Sequence, residues 1–112
     1  MNIIRANETQ PGPNPHGVDV RKLLETDHAL AVQITLQPGQ SLKRHITPVD
    51  VFFFVLEGQG IVEVGEEKQE VGPDTLIESP RGIPHCWYNE GDKPLRVLVV
   101  KTPRPTSNTR LL

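Results

Sequence analysis

Apolar residues alternate with polar or small ones along much of the chain. Leu30, Val32, Ile34 and Leu36 alternate with Ala31, Gln33 and Thr35 up to Pro38 and Gly39, the period-two signature of a strand with one buried face that ends in a turn. Residues 51–56 (VFFFVL) are apolar at every position and stop at Glu57, Gly58, Gln59 and Gly60, after which Ile61, Val62 and Val64 resume the β pattern as far as Gly65. This predicts a hairpin with its turn at residues 57–60. Val71, Leu76 and Ile77 flank a further turn at Gly72, Pro73 and Asp74, and the charged stretch at residues 65–70 (GEEKQE) reads as a hairpin turn in solvent. Residues 95–100 (LRVLVV) form a last β-branched run before Pro103 and Pro105. Upstream, Val18 and Val20 open a short strand, with one helical turn over residues 21–26 as the alternative.

No segment carries apolar residues at helical spacing, and 11 prolines and 9 glycines interrupt the chain at short intervals, so the pattern predicts an all-β sandwich or barrel. A length of 112 residues supports one core and not two. The predicted organisation is an N-terminal arm over residues 1–16, where Pro11, Pro13 and Pro15 exclude regular structure, a barrel over residues 17–102, and an extended or disordered tail over residues 103–112. The strand at 51–56 sets a further condition, because Val51, Phe53 and Val55 take one face while Phe52, Phe54 and Leu56 take the other. Leaving the second set in water forfeits roughly 1.5–3 kcal/mol per side chain, so that face needs a cover. The arm is too polar to supply it, and a homodimer is expected.

Charge and cysteine content remove several classes of function. With 12 basic and 14 acidic residues the formal charge is −2, without the basic excess that a nucleic-acid backbone demands. No apolar run approaches the roughly 20 residues that cross a bilayer, and the first residues have neither the charged nor the apolar segment of a secretory signal. The lone Cys86 cannot form an internal disulfide and reads as a structural thiol. A cytoplasmic protein with no nucleic-acid or membrane partner is the expectation.

Histidines carry the candidate chemistry. On a regular strand His45 and Thr47 point together, as do His85, Trp87 and Asn89. Gly39 is followed by five residues and His45, then Thr47, Val51 and Gly58, while Gly72 is followed by Pro80, Gly82, His85 and Asn89. These two stretches resemble the paired sequence motifs of the cupin superfamily. The resemblance covers about half of the chain and implies a small antiparallel double-stranded β-helix, a jelly-roll barrel with His45 and His85 facing one pocket. The second stretch matches in register from Pro80 to Asn89, although the segment before Pro80 is two residues longer than the motif. The first departs from it, with Thr47 where a second histidine belongs and Val51 where a glutamate belongs.

The three-histidine, one-glutamate site typical of the family is therefore not intact. What the resemblance still implies is a divalent transition metal held by His45 and His85, with Asp50 as a third ligand where a bulge next to Pro48 turns it inward and Glu78 as another candidate. Thr47, Phe53 and Trp87 are the candidate lining of a substrate pocket, against the plainer reading of Phe53 and Trp87 as core. His45 and His85 likewise have a plainer reading, as half-buried histidines bonded to backbone. His16 and His28 lie outside both motifs and read as surface or strand-end residues. The function expected is a small-molecule-binding cupin with an incomplete metal site. The alternatives are a metal-dependent dioxygenase, isomerase or decarboxylase, a metal-free enzyme of the sugar-epimerase kind, or a regulatory or storage module.

Overall fold

The computed structural model describes all 112 residues. Its strands are β1 (Asp19–Glu25), β2 (Leu30–Leu36), β3 (Ser41–Ile46), β4 (Asp50–Glu57), β5 (Gly60–Val64), β6 (Glu67–Val71), β7 (Leu76–Ser79), β8 (His85–Tyr88), β9 (Leu95–Thr102) and β10 (Arg110–Leu111). The sole helical element is a 3-10 turn at Ala6–Glu8, so no helix is long and apolar enough to cross a membrane. The strands form two antiparallel five-stranded sheets, ordered β1-β2-β9-β4-β7 and β10-β3-β8-β5-β6. Together they make the all-β jelly-roll barrel that the alternation predicts.

The core lies between the sheets and is filled from both. Ile34, Leu36, Val51, Phe53, Val55, Leu95, Val97 and Val99 come from the first sheet, and Leu42, Val62 and Trp87 from the second. Strand pairing arranges the inward residues of the first sheet in rows. Leu36 faces Leu95, Ile34 faces Val97, Val32 faces Val99, and Val97 and Val99 in turn face Val55 and Phe53. The last row brings Lys101, Val51 and Ser79 side by side.

Several local expectations give way to the tertiary structure. β4 pairs with β7 and β9 while β5 pairs with β6 and β8, so residues 57–60 form a corner between sheets and not a hairpin. Gly58 makes that corner possible: its φ is +89°, and a Cβ there would lie 2.3 Å from the carbonyl oxygen of Pro94. The charged stretch after Val64 is mostly strand β6, with Val64 paired to Glu67 across the hairpin turn at Gly65 and Glu66. The tail returns as β10, whose Arg110 and Leu111 pair with Ile46 and His45 on the edge of the second sheet. Residues 21–25 continue β1 and form no helical turn.

On the outer face of the first sheet Phe52 and Phe54 are half-buried, beside Leu98 and Val100 of β9. Leu76, opposite Phe54, is 57% exposed, and Leu56 is 37% exposed. Gln33, in the same row, is 7% exposed, so the exposed part of this face is its edge at Leu56 and Leu76.

Candidate functional site

The site is built on a bulge in β3. Leu42 pairs with Trp87 and His45 with His85, so three steps on β3 match two on β8. A regular strand would place Leu42 and His45 on opposite faces; the extra residue puts both inside, while Lys43 and Arg44 are exposed. The bulge also releases the backbone of Lys43 from the ladder. Two histidines take up the freed groups. The Lys43 N–H donates to Nδ1 of His16 at 3.1 Å, and Nδ1 of His45 lies 2.6 Å from the Lys43 carbonyl oxygen.

Those two bonds assign the tautomers. A carbonyl only accepts, so His45 carries its proton on Nδ1 and, as a neutral ring, presents a bare Nε2. Nε2 of His85 lies 2.9 Å from that atom and donates to it. Nδ1 of His85 is then bare and accepts from the hydroxyl of Ser79, 2.7 Å away. The Thr47 hydroxyl oxygen sits 3.3 Å from Nε2 of His85. The result is a closed chain from Ser79 through His85 and His45 to the Lys43 carbonyl. His16, by the same reasoning, accepts at Nδ1 and carries its proton on Nε2.

Burial keeps these rings neutral. His85 is 2% exposed and its pKa falls from 6.5 to about 3, through desolvation first and then the neighbouring His45, Lys101 and His16. Desolvation also lowers His45, and it brings His16 down to about 4 with help from His45, Lys43 and Lys101. Lys101 itself is shifted down by burial.

Around these groups is a cavity of about 130 Å³ at the mouth of the barrel. Val20, Val32, Ile34, Val51, Phe53 and Val99 supply its apolar wall, and Asn14, Pro15 and His16 of the arm and Thr109 of the tail close over it. The arm is held there by Asn14, whose Oδ1 accepts from the backbone N–H groups of His16 and Val18 and whose Nδ2 donates to the Val18 carbonyl. His16 is therefore a pocket residue, with its ring centroid 4.8 Å from that of His45, and not the surface residue its position outside the motifs suggests. Lys101 also lines the cavity, since β9 keeps strict alternation from Leu95 inward through Val97 and Val99. His28 stays at an exposed turn.

The remaining candidates are placed apart from this cluster. Asp50 is exposed, and its Oδ1 accepts the backbone N–H of Arg81 at 2.8 Å. It does not turn inward because β4 is regular there, with Asp50 opposite Thr102 and Val51 opposite Lys101, and the only irregularity of that ladder is at Val55 and Glu57. Glu78 is likewise exposed, with Ser79 taking the inward position beside it. Phe53 does line the cavity. Trp87 lies deeper, 1% exposed against Phe53 with ring centroids 5.4 Å apart, and its indole N–H has no partner. Asn89 is structural, with its Nδ2 donating to the carbonyls of Leu36 and Lys93.

Comparison with known proteins agrees with this fold. The sequence model of the cupin domain family matches residues 32–101, and the chain belongs to that family. Over 71 residues, 62% of this chain and 48% of the relative, it is 32% identical to the tetracenomycin polyketide synthase protein TcmJ of Streptomyces glaucescens. The chain spans about half the length of the curated relatives it matches. The crystal structure of TT1209 from Thermus thermophilus superposes with a TM-score of 0.81 at 32% identity, covering 94% of this chain and 100% of that one. The polyketide cyclase RemF of Streptomyces resistomycificus shares the fold with a TM-score of 0.82 at 23% identity, over 100% of this chain and 85% of its own.

Many members of the family hold a metal, and the donors here do not fit a resident one. No three histidine, cysteine, aspartate or glutamate side chains converge as a ligand group. The facing Nε2 atoms of His45 and His85 share one proton in the hydrogen bond between them, the third motif position offers only the Thr47 hydroxyl, and the nearby charge is the Lys101 ammonium.

Proposed function

We propose that the chain is a small-molecule-binding cupin barrel whose ligand occupies the mouth cavity beside His45 and His85. The observation that carries this reading is the mainly apolar cavity wall with a few polar side chains, its imidazole rings locked by Ser79 and the Lys43 backbone before any ligand arrives. Thr47 acts behind the pocket, supporting His85, and Phe53 forms part of the apolar wall. TcmJ and RemF, both named for polyketide synthesis, are compatible with an organic ligand of small size. A metal-dependent dioxygenase, isomerase or decarboxylase would need at least three protein ligands converging on the metal, and here no such group forms while the two motif imidazoles are bonded to each other. A transition metal is therefore a weak, adventitious occupant of the pair.

The protein works as a homodimer in this reading, with the outer face of β4, β7 and β9 as the contact, and in a reducing compartment where Cys86 stays a thiol. Light scattering at micromolar concentration is expected to give twice the chain mass, and a mass of one chain at all concentrations would remove the dimer. For the pocket, the experiment is a thermal screen of small organic molecules followed by NMR of the histidine rings. Compounds that raise Tm are expected to shift the ring signals of His45 and His85, since a ligand at 100 times its Kd adds about 2.7 kcal/mol of stability. Stabilising compounds that move neither ring would place the binding site elsewhere.

A further inference from the structure

Resting on the reading of the mouth cavity as a ligand pocket, we propose that its ligand is a small organic anion with an apolar body, a monocarboxylate or a comparable single-charged oxygen acid. Three observations carry this. First, Lys101 points its chain into the cavity from the last inward row of β9, and it has neither an ion-pair partner nor a hydrogen bond within the protein. A largely enclosed ammonium without a counter-charge is rare unless something else supplies one. Second, no aspartate or glutamate lines the cavity. The carboxylates closest in sequence to the site, Asp50 and Glu78, are outside it, Asp50 bonded to the Arg81 amide. Third, two unpaired groups in the lining can only donate. His45 and His85 satisfy each other, whereas the Nε2–H of His16 and the ammonium of Lys101 have no acceptor. A ligand that brings an acceptor oxygen with negative charge answers both, and Val32, Ile34, Val99 and Phe53 offer its other end an apolar wall.

The volume, about 130 Å³, limits the ligand to a few carbons or one ring. It also accounts for the arm: His16 belongs to the polar part of the pocket, so residues 14–16 are part of the binding site and not only a cover.

The test uses the full-length chain and matched probes: isovalerate with isovaleramide, and benzoate with benzamide, plus benzylamine as a cation. Binding is read from the methyl signals of Val32, Ile34 and Val99 and from the ring signals of His16. The expected result is that each carboxylate binds about tenfold or more tightly than its own amide, as one charge-assisted bond allows, and that benzylamine does not bind. Lys101→Met and Lys101→Gln, whose retained fold the methyl spectrum reports, are expected to bring carboxylate and amide within about twofold of each other. Amides that bind the wild type as tightly as carboxylates, or a preference that survives both substitutions, would overturn the anion while leaving the pocket in place. If no probe moves the cavity methyls, the anion and the pocket reading fall together.

Discussion

The two ends of this barrel are built on the same strands and do different things. On β9 the inward residues run Leu95, Val97, Val99 and then Lys101; on β8 Trp87 lies deep and His85 stands at the mouth; on β3 Leu42 gives way to His45. At the closed end the packing is apolar, and Gly60 is enclosed so tightly that a Cβ would lie 2.5 Å from Leu95 and 3.1 Å from Trp87. At the mouth the inward positions are Ser79, His45, His85 and Lys101, and a cavity opens beside them. One end carries the stability and the other is freed to carry polar groups whose burial is unfavourable on its own. The contrast rests on a single inserted residue, because without the bulge at Lys43 the second sheet would send Leu42 and His45 to opposite faces.

Breaking the closed end is expected to have the largest effect. Trp87→Ala removes a fully buried ring packed on Phe53 and is expected to destabilise the fold by about 3–5 kcal/mol in denaturant unfolding. A loss below about 1 kcal/mol would mean that the two ends do not divide the work as described.

Acid is expected to act at the mouth. The folded pKa values of His85 and His16 lie at about 3 and about 4, and that of His45 is also lowered, against the ordinary 6.5. The unfolded chain therefore binds more protons than the folded one between those values. Stability is fully present above pH 6.5 and is lost as pH falls from about 6.5 towards 3, with a slope of at most about 1.4 kcal/mol per pH unit from His85 and a smaller share from the half-buried His16. Urea midpoints measured from pH 7.5 to 4 should decline most steeply below 6. His85→Gln should flatten the slope. A pH-independent midpoint across that range would show that the rings titrate as if exposed.

Metal affinity sharpens the same contrast with a smaller effect. Zinc is expected to bind the wild type more weakly than about 1 μM, far short of the roughly 10–16 kcal/mol of full structural sites. The binding should vanish in His45→Ala and His85→Ala. Lys101→Met should strengthen it by about tenfold, since a like charge facing a partly shielded cation opposes it by ~1.4 kcal/mol or more. Nanomolar zinc binding by the wild type, or zinc binding indifferent to Lys101, would refute the account of the mouth as a site without anionic donors.

Much of this architecture was legible in the chain. Alternation at residues 30–36 identified an inward row correctly, since it lies in a regular ladder where period two is the geometry itself, and the β-branched run at 95–100 marked a strand. The run Pro80 to Asn89 located His85, and the interior of the barrel followed from it. Non-local geometry was not legible. Residues 57–60 have the composition of a hairpin turn, and only the pairing of β4 with β9 makes them a corner. His16 sits in a proline-rich stretch where no periodicity applies, and its place in the pocket depends on the Lys43 amide, 27 residues away, that the bulge sets free. Asn14, Pro15 and Gly17 signal a tight turn, yet nothing in a turn says which surface it faces. Lys101 was hidden differently: it follows the run at 95–100, and a lysine at a strand end reads as exit to solvent until Val51 and Ser79 are seen beside it.

The smallest expected effect belongs to Asp50, and it separates proximity in sequence from membership in the site. Asp50 is adjacent to the position where the family's glutamate would stand, now Val51, so a substitution there looks disruptive on paper. The strand is regular at this point, and the carboxylate faces outward, where it accepts the Arg81 N–H at 2.8 Å. Asp50→Asn keeps an acceptor oxygen in the same place and removes only the charge. Its stability is expected to stay within about 0.5 kcal/mol of wild type, the usual range for surface changes. Its zinc affinity and the ligand-induced shifts of the His45 and His85 rings should not change at all. A parallel measurement on Ser79→Ala supplies the scale, because that change strips the hydroxyl from Nδ1 of a ring that is almost wholly buried and should cost about 1–3 kcal/mol. Should Asp50→Asn weaken zinc or ligand binding as strongly as His85→Ala does, the aspartate must reach the cavity in solution, and β4 must bulge where it is now regular.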